Sequence, residues 1–260
     1  MLPKNFKPYK VKLRNLIRLG SKFDGGYVID NRVISKTKYL ITCGLNDDWS
    51  FEKEFLKKNP NCYLLAYDHT VTRNYWKNRF KQDFIKFISF KKLSLKKILD
   101  IFKYIDYVFF FRKRNKHFIK KIVKKIKKAS KEETVKNILK NKNNIILKID
   151  IENDEYKILP DIIVNSNKIN MLIIEFHNVH KKLNRIIKFI ENFKLKLVHI
   201  HGNNYMGVNK NNDPNVLEMT FLNHKKYKIE NRKTNFQYPI PNLDYPNLKR
   251  NPDIALRFND

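Results

Sequence analysis

The stretch Ile145-Ile-Leu-Lys-Ile-Asp-Ile-Glu-Asn-Asp-Glu155 is an apolar, β-branched run that ends abruptly in four acids, Asp150, Glu152, Asp154 and Glu155. Such a run reads as a strand buried on both faces, the kind found inside a parallel sheet. Desolvated carboxylates are costly unless a cation, a donor or a ligand compensates them. The acids therefore predict a site at the carboxyl edge of that sheet. Two later segments repeat the form: Met171-Leu-Ile-Ile-Glu-Phe-His177 ends in Glu175/His177, and Leu195-Lys-Leu-Val-His-Ile-His-Gly202 ends in His199/His201. A spacing of two puts both members of each pair on one face of a strand.

Upstream, residues 38–44 read as a first buried strand that turns at Gly44, a helix begins at Ser50, and residues 62–68 form a second strand ending in Asp68. Downstream, strand 145–151 is followed by a helix over 155–164, a strand over 169–176, a helix over 181–193 and a strand over 195–201. Strands alternating with helices predict an α/β fold with a doubly wound, mostly parallel sheet and right-handed crossovers. Leu217-Glu-Met-Thr-Phe-Leu222 alternates less cleanly and is expected as a late, antiparallel strand at the sheet edge. The whole chain, 1–260, reads as one domain. Residues 77–142 break its rhythm as a basic, mainly helical insertion with 23 Lys and Arg against 5 Asp and Glu. Within it, Phe118, Ile119, Ile122, Val123 and Ile126 share one face of a possible helix whose remainder is lysine. Residues 236–260, with Pro239, Pro241, Pro246 and Pro252, are expected to wrap the domain as extended chain.

A hydrophobic content of 42% over 260 residues supports one substantial core. Cys43 and Cys62 have neither framework nor metal spacing, which points to a reducing compartment. No apolar run approaches the roughly 18 residues of a bilayer span, and the N-terminus lacks an apolar leader. These features predict a soluble, cytoplasmic protein. The net charge of +30 has two explanations. Abundant Lys, Asn and Ile with scarce Ala and Gly are what an AT-rich genome produces without selection, whereas a basic, aromatic stretch over 107–128 suits peripheral contact with an anionic membrane at its inner face. Nucleic acid is the weaker partner, since Asn-Pro-Pro-Tyr and Asp-Pro-Pro-Tyr motifs are missing.

Gly44, in Cys43-Gly-Leu-Asn-Asp-Asp48, allows close backbone approach to a ligand, and Asp68 at the tip of the second strand can accept the hydroxyls of a ribose. A G-x-G-x-x-G run is absent, which disfavours a bound pyrophosphate. A cofactor with a ribose but no phosphates, S-adenosylmethionine, fits these features.

Taken in order, Asp24-Gly-Gly-Tyr-Val-Ile29, the Cys43-Gly44 turn, Tyr67-Asp-His69, Leu147-Lys-Ile-Asp-Ile-Glu152, Ile174-Glu-Phe-His177 and His199-Ile-His-Gly-Asn203 resemble the FkbM-type branch of class I S-adenosylmethionine-dependent methyltransferases. That family carries K-x-D-x-E-G-x-E on its fourth strand. Here Lys148, Asp150, Glu152 and Glu155 are in register, with Asn153 in place of the glycine. The resemblance covers about 20–76 and 143–258 and omits the basic insertion. It implies methyl transfer to a hydroxyl of a sugar, glycan or glycolipid-type acceptor. His177 is the first choice of base because its ordinary pKa lies near neutrality, with Asp150 second and Glu175 beside them. Gly44, Asp68, Asp48, Asp150, Gly25 and Gly26 are the candidate cofactor contacts. His201, Asn203 and His199 are candidate substrate contacts. A metal-assisted version would place Mg²⁺ or Mn²⁺ on Asp150, Glu175 and His177. The rival functions are a non-catalytic binding module that has lost its cofactor and an RNA methyltransferase.

Overall fold

A computed structural model describes residues 1–88 and 95–259. A short antiparallel hairpin pairs β1 (Leu16–Leu19) with β2 (Tyr27–Asp30). The chain then runs through β3 (Tyr39–Cys43), α1 (Ser50–Lys58), β4 (Tyr63–Tyr67), α2 (Arg73–Ile88), α3 (Leu95–Phe110) and β5 (Asn115–Phe118). Two-residue strands β6 (Lys121–Ile122) and β7 (Glu132–Glu133) and the short α4 (Val135–Ile138) lead into β8 (Ile145–Ile149). The last third is α5 (Glu155–Val164), β9 (Ile169–His177), α6 (Val179–Asn192), β10 (Lys196–Val208) and β11 (Pro214–Leu222).

Seven strands form one sheet in the order β10-β11-β9-β8-β3-β4-β5. Neighbours from β5 through β9 are parallel, while β11 is antiparallel to both β9 and β10. This is the doubly wound, mostly parallel α/β sheet that the alternation predicts. The chain leaves β3 toward β4 and β5 on one side, then returns to build β8 and β9 on the other. The carboxyl ends of β3 and β8 therefore flank a topological switch point, where ligands bind in open sheets of this kind.

Every residue of β8, and every residue of β9 up to His177, is buried, in keeping with helices on both faces. α6 is fixed by aromatic rings: Phe189 lies 4.7 Å from Phe193 and 5.7 Å from Phe221 between ring centroids. Such pairs add about 0.5–1.5 kcal/mol each beyond the area they bury. The proline-bearing C-terminal segment packs along β10 as irregular chain with turns closed by Asp244 N to Ile240 O and Asn251 N to Leu248 O, not as the extended chain expected, and it is tied to the N-terminus, with Leu2 N donating to Arg257 O at 2.7 Å and Asn259 N to Leu2 O at 2.9 Å. Cys43 and Cys62 are buried free thiols. Among the described residues no helix is long and apolar enough to cross a membrane.

Two further sequence expectations are corrected. Strand 217–222 is antiparallel but interior, since β10 forms the edge and β11 is inserted between it and β9. Its weak alternation follows from burial of both its faces. Residues 118–128 are not a helix. Phe118 ends β5 with its ring stacked 4.8 Å from Tyr67, and Asp68 N donates to Phe118 O at 3.1 Å. A helix there would have set Lys120 against Lys124, Lys121 against Lys125 and Lys124 against Lys128, all like charges four apart. The stretch 77–142 is accordingly of two kinds: α2 and α3 are helical, while β5 is a full member of the main sheet.

Candidate active site

The close approach of β3 and β8 depends on one residue. Gly44 has φ +85°, and a Cβ placed on it would lie 1.6 Å from the carbonyl oxygen of Asp150. Backbone cannot yield by that amount, so only glycine fits there. Beyond Asp150 the chain turns through two left-handed residues, Glu152 at φ 46° and Asn153 at φ 77°, before α5 begins. Asn153 thus takes a left-handed conformation that glycine adopts freely and that asparagine tolerates best among the other residues.

A cleft of about 540 Å³ opens at the carboxyl ends of β3, β4 and β8, lined among others by Gly44, Asn46, Asp68, Tyr75, Lys121, Asp150 and Ile151. Asp68 stands at its wall with both oxygens engaged. Leu45 N and Asn46 N each donate to Oδ2 at 2.9 Å, and Thr70 donates to Oδ1 through its N–H at 2.7 Å and its hydroxyl at 2.6 Å. Burial opposes ionisation, but these donors hold the carboxyl below its usual range. With four donors in place, Asp68 fixes the loop after β3, and a ribose hydroxyl there would compete with them. Asp48, Gly25 and Gly26 do not line the cleft. Asp48 Oδ1 accepts from Ser50 N at 2.8 Å, its Oδ2 lies 2.6 Å from where a Gly25 Cβ would stand, and a Cβ on Gly26 would meet Ser21 O at 1.9 Å. These three pack the hairpin onto the start of α1.

Beside the cleft, the ends of β8 and β9 bring Asp150, Glu175 and His177 together. His177 Nε2 lies 3.3 Å from Glu175 Oε1 and 4.0 Å from Asp150 Oδ1, while Nδ1 lies 3.5 Å from Glu155 Oε1. Fully buried Glu155 also accepts from His177 N at 2.9 Å, locking the end of β9 to the start of α5. Burial disfavours the imidazolium, but Glu155 and Glu175 outweigh it and push His177 up to about 10. The neutral base anticipated for His177 is therefore corrected: in this arrangement the imidazole already holds its proton. Burial raises Asp150 to about 6, against the pull of His177 and Lys148, and burial together with Asp150 raises Glu175 well above the usual range. Among the three, Asp150 has the most exposed side chain, 32% against 8% and 14%, and it alone lines the cleft. One ligand atom from each lies within 4.8 Å of the others, a spacing that also suits a divalent cation.

The remaining sequence candidates are structural. His199 and His201 are 2% and 1% exposed. His199 Nε2 meets Asp244 at 3.1 Å, and His201 bridges Glu218 at 3.3 Å and Asp253 at 3.0 Å. Neither is free to touch a substrate, because β11 and the C-terminal segment supply their partners. Asn203 reaches the site indirectly, donating to Glu175 Oε1 at 3.3 Å. Sequence reasoning missed Tyr27, whose hydroxyl donates to Asp150 Oδ2 at 3.3 Å, and the buried pair Lys148–Glu52 at 3.1 Å that ties β8 to α1. The only signals were a tyrosine directly after Gly25-Gly26 and a lysine inside an otherwise apolar strand.

Strand order and polarity make this the Rossmann-like sheet of the class I methyltransferase fold. No family model matches the sequence, and no curated protein does. Solved structures similar to the chain include a fibrillarin/Nop5p complex, at 9% identity and TM-score 0.36 over 72% of this chain and 73% of that one. Another is precorrin-6y C5,15-methyltransferase from Geobacter metallireducens, at 8% identity and TM-score 0.33 over 74% and 85%. A third is the Methanococcus jannaschii fibrillarin pre-rRNA processing protein, at 8% and 0.34 over 73% and 67%.

Proposed function

We propose that the chain is an S-adenosylmethionine-dependent methyltransferase acting on a hydroxyl of a sugar, glycan or glycolipid-type acceptor. The observation that carries this is the cleft at the switch point, closed on one side by the Gly44–Asp150 contact and flanked by a partly exposed carboxylate. Its volume lies within the range of small-molecule sites. S-adenosylmethionine would supply an electrophilic methyl group. The chain's own task is to align an acceptor oxygen with it and to take the hydroxyl proton. Asp150 is the base, because it alone of the three clustered groups faces the cleft. Tyr27 and the His177 imidazolium position its carboxylate, and Glu175 sits behind them. In the metal-assisted version the same three side chains, with His177 deprotonated, would hold Mg²⁺ or Mn²⁺, which would acidify the acceptor hydroxyl so that its proton leaves more readily to solvent.

Calorimetric titration with S-adenosylmethionine and S-adenosylhomocysteine, with and without Mg²⁺, tests the cofactor. Micromolar binding is expected, and Asp150→Asn should keep it while lowering turnover by roughly 10²–10⁴-fold. Absence of binding under every condition would overturn the proposal in favour of a binding module. Transfer of labelled methyl groups to glycan and glycolipid extracts rather than to total RNA tests the acceptor.

A further inference from the structure

Helix α3 packs on the body of the protein through a mixed face: Tyr107 and Phe110 lie against the cluster of Trp49 and Trp76, Lys103 pairs with Asp47 at 3.3 Å, and Asp106 accepts from Trp49 Nε1 at 3.0 Å and pairs with Lys53. A second apolar stripe of the helix faces outward. Phe102, Ile105 and Phe109 fall at i, i+3 and i+7, one stripe of the helix, and are 54%, 45% and 62% exposed. The neighbouring α2 continues the surface with Phe80, Phe84 and Ile85, all exposed, the two phenylalanine rings stacked 6.0 Å apart. Six large apolar side chains exposed on two neighbouring helices form a patch of the kind that marks an interaction surface.

Basic groups edge the patch. The Arg112 guanidinium lies 4.2 Å over the Phe109 ring, Lys113 and Arg114 follow it exposed, and Arg73, Lys77 and Lys81 are exposed along α2. Apolar side chains rimmed by cations match the boundary of an anionic bilayer, where acyl chains lie beneath negative headgroups. A second copy of a chain with net charge +30 would bring like charge against like charge. Each helix has 16 residues, about 24 Å of length at 1.5 Å per residue, which suits lying on a bilayer rather than crossing one.

We propose that the α2–α3 hairpin docks the protein on an anionic membrane surface through Phe102, Ile105 and Phe109. Of the 107–128 stretch expected from sequence, this keeps Phe109 and the basic run from Arg112 to Arg114, leaves out the strand and turn that follow, and extends the contact back along the outer face of the two helices. The hairpin is held by Asp47 and Trp49, in the loop whose Asn46 lines the cleft, so docking would bring the cleft near the lipid surface. The docking stands whether or not the cleft takes S-adenosylmethionine.

The test is sedimentation of the full chain with vesicles of phosphatidylglycerol and phosphatidylcholine, against vesicles of phosphatidylcholine alone. Binding to the anionic vesicles only is expected, and the triple variant Phe102→Ser, Ile105→Ser, Phe109→Ser should weaken it by roughly tenfold or more with an unchanged melting curve. A separate variant, Phe109→Trp, should show a blue-shifted emission on anionic vesicles, which keeps the test valid if the triple variant does not fold. Wild-type strength in the triple variant would overturn the proposal and leave undirected charge attraction. Concentration-dependent self-association abolished by the triple variant, without vesicle binding, would overturn it in favour of a second copy.

Discussion

The ends of β9 and β10 are written alike in the sequence and behave differently in the fold. Each is an apolar run that closes on two polar residues spaced i, i+2, Glu175/His177 and His199/His201. At β10 both imidazoles are enclosed, and carboxylates of β11 and the C-terminal wrap, Glu218, Asp244 and Asp253, meet them. At β9 the imidazole is shared among Glu155, Glu175 and Asp150, and one of those carboxylates opens on the cleft. Polar strand ends become a site where the switch point leaves them uncovered and become struts where a later segment covers them. The difference lies in what the chain does 45 and 52 residues further on, as Asp244 and Asp253 show.

The comparison breaks most visibly in stability. His201→Ala leaves buried Glu218 and half-buried Asp253 without their cation and should cost about 3 kcal/mol in urea unfolding, the low end of the range for removing one partner of a buried ion pair. His177→Ala leaves Asp150 open to the cleft and Glu175 able to take up a proton, so it should cost less, while the methyl transfer proposed above should fall. Equal stability losses in the two variants would erase the distinction between strut and site.

A smaller effect probes the link that makes His177 part of a site. Glu155→Gln retains an acceptor for His177 N but removes the charge facing Nδ1, so unfolding should weaken by about 1–3 kcal/mol, the scale of a hydrogen bond to a charged group. The His177 pKa should fall with it, which imidazole proton resonances followed against pH would report. An unmoved resonance would assign the raised value to Glu175 alone.

The fold was largely legible because its signals are local: buried runs of β-branched residues, helices between them, and a glycine at the first turn. Residues brought together by sequence-distant packing were not. Nothing near Lys148 announces Glu52, and nothing near His201 announces Asp253. The helix expected over 118–128 satisfied the apolar period but ignored the i, i+4 lysine repulsions and the open edge of β4 that β5 completes. Hydrophobic period also did not show which apolar side chains of α3 stay outside, since a stripe has the same spacing whichever way it faces: Tyr107 and Phe110 turn inward with the ion-paired Lys103 and Asp106, while Phe102, Ile105 and Phe109 do not.

The finest test uses pH. Burial opposes the charge on His201, but Asp253 and Glu218 raise its pKa from 6.5 to about 10. The folded state therefore keeps a proton that the unfolded chain releases above about pH 6.5. Stability from this group is complete below that value and is lost as pH rises toward 10. Near pH 8 one such group changes the unfolding free energy by about 1 kcal/mol per pH unit, downward as pH rises. His177, also raised to about 10, slopes the same way in the free protein. The two separate through ligand and substitution. His201→Gln should flatten part of the slope whether or not the cleft is filled, because its partners lie outside the cleft. A ligand beside Asp150 should alter only the part that belongs to His177. If filling the cleft also removed the His201 contribution, the two strand ends would be one electrostatic unit, and the contrast between them would be one of accessibility alone.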